Sequence, residues 1–126
     1  MIAIGVNDAV QGDLSDDFFA TWESHYDQTI RLAKQLSGGK VAVLTILPVE
    51  KNKSQGDQYF SMDKIQRLNK IIISLAKKND ILSVDQYSVF EPLYDRELPF
   101  TTDGVHLSMT SYRLMKDALQ KAVIDW

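Results

Sequence analysis

Asp103 and His106, three residues apart near the C-terminus, are the pair in this chain best suited to moving a proton. Gly104 stands between them, where the backbone must bend sharply. A carboxylate so placed can hold an imidazole in one tautomer. The far ring nitrogen is then free to accept a proton from a nucleophile. A second candidate lies near the start of the chain, where the polar turn Val6-Asn7-Asp8 follows an apolar run and Gly5. The Asn7 amide carries an N–H donor suited to an oxyanion.

The elements between them read as a scaffold. Met1 to Ile4 is apolar and predicts a short buried strand. Ser15 with Asp16 and Asp17 marks a helix start, and Phe19, Trp22, Tyr26, Ile30 and Ala33 recur at three- and four-residue steps until Gly38-Gly39 ends the pattern. Lys40 to Leu47 is nearly continuously apolar and closes at Pro48, as expected of a central strand in a parallel sheet. Lys51 to Tyr59 reads as an exposed loop. Ser61 then caps a second helix with Ile65, Leu68, Ile72 and Leu75 inward. Lys77, Lys78 and Asn79 suit its C-terminus, with Asn79 as a left-handed cap.

Ile81 to Val84 predicts a third strand, Asp85 to Phe100 a loop with two prolines, and Ser108 to Ile124 a last helix with Tyr112, Met115, Leu119 and Val123 inward. The order is β-α-β-α-β-α, a three-layer α/β domain over residues 1–126 with a parallel sheet of about three strands. Right-handed crossovers put the first two helices on one face and leave the last alone on the other. Loops at the carboxyl ends of such strands carry function, so Asn7 and Asp8 should share a rim with Asp103 and His106.

Composition narrows the alternatives. The chain is 44% hydrophobic and 25% charged with a net charge of -3, and acids and lysines are interspersed, which argues for neither nucleic acid nor an anionic membrane as partner. There is no cysteine, so disulfides and thiolate metal sites are excluded. The apolar start is too short for a signal peptide and lacks a basic lead, so a cytoplasmic location is expected. Other clusters have plain readings. His25 is solvated on a helix, Asp13, Asp16 and Asp17 serve capping rather than a metal, and Phe18, Phe19, Trp22 and Tyr26 form core. Lysines 51, 53, 64, 70, 77 and 78 form a solvated face. Ser15, Ser54 and Ser61 are loop or cap residues, and no serine sits in a strand-to-helix elbow.

Taken together, these residues resemble the SGNH hydrolases, also called GDSL-type lipases and acylhydrolases. Gly5-Val-Asn7-Asp8 looks like that family's third block, Gly-x-Asn-Asp, and Asp103-Gly-Val-His106-Leu107 like its fifth, Asp-x-x-His. The resemblance implies a flavodoxin-like sheet and a serine acyl-transfer mechanism without metal or cofactor. It makes His106 the base and Asp103 its orienter. Asn7 becomes an oxyanion donor on a turn supported by Gly5, Asp8 and Gly104. Ser108 and Ser111 stand where the family often has Asn and Gly. The family's Gly-Asp-Ser nucleophile block and its second block find no counterpart. The chain thus reads as a truncated domain starting at the third of five strands ordered 2-1-3-4-5, inactive by itself and completed by a missing N-terminal part that would let it take an ester substrate. A non-catalytic interaction module is the alternative. In either case the bare edge of the first strand, residues 1–8, and the C-terminal helix predict a homodimer or larger assembly.

Overall fold

The computed structural model describes residues 1–126 and is α/β, with a small parallel sheet between helices. After a 3-10 turn at Val6–Ala9 come α1 (Asp16–Ser37), β1 (Ala42–Leu44), α2 (Met62–Lys78), β2 (Leu82–Val84), α3 (Tyr87–Asp95) and α4 (Met109–Val123). β1 and β2 pair in parallel with Ala42 opposite Leu82 and Leu44 opposite Val84. Ile2 adds a single parallel bridge to Val43, donating its N–H to the Ala42 carbonyl at 2.8 Å and accepting from Leu44 N–H at 2.9 Å. β1 is therefore central, as its apolar run foretold.

The expected buried strand at Met1–Ile4 is corrected to that one bridge. Met1, Ala3 and Ile4 are exposed, and only Ile2 is half-buried. The physical reason is the lack of a neighbour on the outer side. A strand is buried by what lies beside and over it, and here only its β1 side is occupied.

Ser15 and Ser61 cap α1 and α2, accepting hydrogen bonds from Phe18 N–H and Lys64 N–H, and Gly38 closes α1 in the left-handed region at φ 65°. These two helices share one face of the sheet. Phe19, Tyr26 and Ile30 from α1 meet Ile65, Leu68, Ile72 and Leu75 from α2 in a 14-residue core that includes Val43. Burial of each large apolar side chain contributes roughly 1.5–3 kcal/mol. The other face is thin. Its core is Phe90, Phe100 and Leu107, flanked by α3 and α4.

Four further expectations change. Asp85–Phe100 is not all loop: α3 forms because the Asp85 carboxylate accepts from Ser88 N–H at 3.1 Å and Thr45 Oγ1 accepts from Tyr87 N–H at 2.9 Å, while Tyr87 and Phe90 are buried. These contacts outweigh the cost of Pro92 within the helix. Tyr112 is exposed rather than inward, Met115, Leu119 and Val123 are half-buried, and Ser111 is the buried residue of α4. Lys64 leaves the solvated face: it is buried, its Nζ donating to the Val10 carbonyl at 2.9 Å and lying over the Phe18 ring. The left-handed residue after α2 is Asp80 (φ 50°) rather than Asn79, whose amide instead donates to Asp27 at 2.7 Å.

Beyond β1 the chain stays buried but loses its strand partners. The Asn69 side chain replaces them, accepting from Ile46 N–H at 2.7 Å and donating to the Ile46 carbonyl at 2.9 Å. Removing that amide leaves two buried backbone groups without partners, each costing about 1–3 kcal/mol. Asn69→Ala is therefore expected to lower the free energy of unfolding by about 2–4 kcal/mol in urea titrations. A loss under about 0.5 kcal/mol, the usual range for a surface change, would refute this role.

Candidate active site

The residues from Thr101 to Leu107 form a tight loop. An antiparallel bridge joins Thr101 to Leu107 at its neck, Ser108 N–H donates to the Phe100 carbonyl at 3.0 Å, and Thr102 N–H donates to the His106 carbonyl at 2.8 Å. Gly104 sits at φ 115°, a conformation that side-chain-bearing residues rarely adopt. A Cβ there would also lie 2.7 Å from the Gly56 nitrogen. Its own N–H donates to Thr101 Oγ1 at 2.8 Å.

This bend folds the Asp103 carboxylate back on the chain. Oδ1 accepts from Val105 N–H at 3.0 Å and His106 N–H at 2.8 Å, and Oδ2 stands 2.6 Å from His106 Nδ1. The His106 backbone N–H, then its ring, then the Val105 N–H hold the Asp103 carboxyl well below the usual carboxylate range. The acid therefore stays charged at neutral pH and engages Nδ1. Nε2 has no hydrogen-bond partner in the protein, and the imidazole borders a cavity of about 350 Å³. Gly5, Val6, Ile46, Val105 and Tyr112 also line this cavity.

Gly5 and Val6, just ahead of Asn7, thus line the same cavity as His106, while Asn7 itself is not among its lining residues. Gly5, at φ 130°, allows the chain to pass close to its neighbours: a Cβ there would lie 2.6 Å from Ile46 Cδ1 and 3.3 Å from the Trp22 ring. Asp8 N–H donates to the Gly5 carbonyl at 3.0 Å, and the Asp8 carboxylate accepts from Trp22 Nε1 at 3.1 Å. Asn7 itself is exposed and next to Val6 on this turn. Trp22, read from sequence only as core, is half-buried, stacks on Tyr26 at 4.7 Å and braces the Asn7 turn. Its spacing on α1 gave no sign of this second duty.

The remaining polar candidates lie elsewhere. His25 is exposed on α1, and Asp13 accepts from Ser15 N–H at 2.9 Å beside the helix cap. Ser108 caps α4 by accepting from Ser111 N–H, as Ser15 and Ser61 cap their helices.

The sequence matches the description of the GDSL-like lipase/acylhydrolase family over residues 1–114. The chain belongs to this family. Among solved structures, the lipase/acylhydrolase from Enterococcus faecalis is 21% identical with a TM-score of 0.74, over 97% of this chain and 58% of that one. A variant of the acetylxylan esterase from Geobacillus stearothermophilus is 18% identical with a TM-score of 0.74, over 97% and 57%. A GDSL-like lipase from Bacteroides thetaiotaomicron is 26% identical with a TM-score of 0.58, over 82% and 53%. The chain thus spans a little under three-fifths of the length of the family structures it resembles. No curated protein matches the sequence.

The Asp103 geometry sets a pH dependence. A carboxylate whose folded pKa lies below its unfolded one stabilises the fold fully above the unfolded value, and that contribution is lost as pH falls through the folded value. Asp27, held down mainly by the Asn79 amide, and Asp13, held down mainly by Ser15, act in the same direction. Thermal midpoints should therefore be level above about pH 5 and fall below about pH 4. Asp103→Asn should shrink that fall. Superimposable pH profiles for the two proteins would contradict the assignment.

Proposed function

We propose that these 126 residues carry the acid–base side of a serine acyl-transfer reaction on carboxylic esters. A serine oxygen would attack the ester carbonyl while His106 Nε2 takes its proton. The same proton would then pass to the departing alkoxide. Asp103, bonded to Nδ1, keeps the imidazole in the needed tautomer and stabilises its charged form. The Asn7 amide would donate to the oxyanion of the tetrahedral intermediate, with Gly5, Asp8 and Gly104 shaping the two turns. Water would then hydrolyse the acyl-enzyme by the same proton path, and no step calls for a metal or cofactor. The observation that carries this reading is the 2.6 Å Asp103–His106 contact, whose imidazole shares an apolar cavity with Gly5 and Val6. The names of the solved relatives, lipases and an acetylxylan esterase, support esters as the substrate class.

The nucleophile, in this reading, comes from outside these residues. The Ser15, Ser61 and Ser108 hydroxyls are engaged at helix N-termini. The isolated chain is expected to hydrolyse p-nitrophenyl acetate no faster than buffer. A chimera joining the chain to the part of the Enterococcus faecalis protein that it leaves unmatched should create turnover. In that chimera His106→Ala should cost about 10³-fold or more and Asn7→Ala about 10²–10³-fold. Turnover by the isolated chain that His106→Ala abolishes would show that the nucleophile lies within it. A chimera indifferent to His106→Ala would remove the proposed base.

A second reading, a non-catalytic module that self-associates, is favoured by exposed apolar side chains on the first segment and on α4. Met1 is 62% exposed, Ile4 57%, Met109 78% and Tyr112 54%. The backbone of Ala3 takes no part in the sheet's hydrogen bonds, so an edge is open to a further strand. Light scattering at micromolar concentration should give a dimer or larger mass, and Ile4→Lys should return it to monomer. A monomer mass for the unaltered chain would dispose of this reading.

A further inference from the structure

The apolar run through β1 was expected to close at Pro48, yet burial continues for two more residues, and the second is an acid. Glu50 is 6% exposed. A carboxylate taken out of water is costly unless hydrogen bonds replace its hydration. The Glu50 carboxylate meets that need with backbone amides: Oε1 accepts from Phe100 N–H at 2.6 Å and from Thr101 N–H at 2.8 Å. Hydrogen bonds to an ionised acceptor are about twice as strong as neutral ones.

The backbone of the same residue reaches the far side of the loop. Glu50 N–H donates to the Gly104 carbonyl at 2.8 Å, and its carbonyl accepts from Asp57 N–H at 3.0 Å. Two glycines make this approach possible. A Cβ on Gly104 would meet the Gln55–Gly56 backbone at 2.7–2.8 Å, and one on Gly56 would stand 2.1 Å from the Glu50 carbonyl. Glu50 thus grips the loop on both sides of Asp103. One of its amides belongs to Thr101, whose hydroxyl in turn accepts from Gly104 N–H. None of the Glu50 hydrogen bonds goes to Asp103 or His106.

We propose that Glu50 is a positioning residue for the Asp103–His106 pair: its buried carboxylate anchors residues 100 and 101 so that the bend at Gly104 turns the Asp103 carboxylate onto the Val105 and His106 amides and the His106 ring. The functional sense of this rests on the acyl-transfer reading. The test reads loop geometry in the isolated chain, so its failure leaves that reading standing, and a chimera without activity leaves the geometry standing.

The experiment follows the Asp103 carboxyl by carbon NMR as pH is lowered, and the His106 tautomer by its ring nitrogen shifts. In the unaltered chain Asp103 should titrate below the usual range and His106 should carry its proton on Nδ1. Glu50→Ala should raise the Asp103 midpoint by about one unit and populate the other tautomer. Glu50→Gln, which keeps an acceptor of the same shape without charge, should move it the same way by less. A merely structural fastening would lower the thermal midpoint in both variants and leave these two signatures unmoved. A folded Glu50→Ala chain with unchanged Asp103 midpoint and His106 tautomer overturns the proposal. Should that variant not fold, Glu50→Gln decides: an upward shift beyond error supports the proposal, and an unchanged midpoint overturns it.

Discussion

The constraint on which the structure depends is the burial of one segment, from Val41 to Glu50, in which every residue but Leu47 is buried. Burying nine of ten consecutive residues obliges their backbone N–H and C=O groups to find partners away from water, and those partners recruit the rest of the molecule. Ile2 and β2 satisfy the first half. Asn69 reaches up from α2 to satisfy Ile46, and Thr45 fixes the start of α3. Glu50 closes the segment by binding the loop of Asp103 and His106. The Gly5 turn is fitted against Ile46. The Gly5 turn and the Asp103–His106 loop therefore attach separately to one buried rod.

The two sheet faces are built to different standards. The face under α1 and α2 has the 14-residue core, sealed by ties such as Lys78 to Asp27 and Asn79 to Asp27 across the helices. The face under α3 and α4 has a cluster of three buried apolar side chains, and α4 leaves Met109, Tyr112 and Leu114 in solvent. Stability resides chiefly in the first layer, while the cavity beside His106 opens on the second. A helix lying on so little buried apolar surface gains little from packing, so the serine cap at Ser108 carries more of its weight.

Much of the fold was legible in the sequence. Where an apolar pattern has its own neighbour, as at Ile65, Leu68, Ile72 and Leu75, the helical period names the buried residues correctly. Periodicity says nothing about whether a neighbour exists, which is why Met1 to Ile4 looked like a buried strand and Tyr112 like a core residue. α3 was hidden by Pro92 and Pro99, although Asp85 three residues ahead of Ser88 and the Tyr87–Phe90 spacing were there to read. The candidate site divides in the same way. Asp103, Gly104 and His106 are legible because local geometry, three residues and one bend, accounts for their contact. Glu50 and Trp22 were not, because their partners lie 50 and 14 residues away. An acid directly after a buried apolar run was the one available sign that Glu50 had a fixed partner.

The electrostatics of the pair explain why position matters more than charge here. The side chains of His106 and Asp103 are 76% and 42% exposed, and a contact so open to water gains little from electrostatic attraction alone. What distinguishes Asp103 from an ordinary surface acid is the two backbone amides aimed at it. Those amides cannot turn away without opening the Thr101–Leu107 loop, so the arrangement is preorganised rather than attracted into place. Preorganised dipoles act far more strongly once water is excluded. The same contacts that make a weak surface pair in the open cavity would therefore become a strong orienting device under a cover, and in the proposed reaction whatever closes the apolar wall of Ile46, Val105 and Tyr112 would set how well His106 could serve as base.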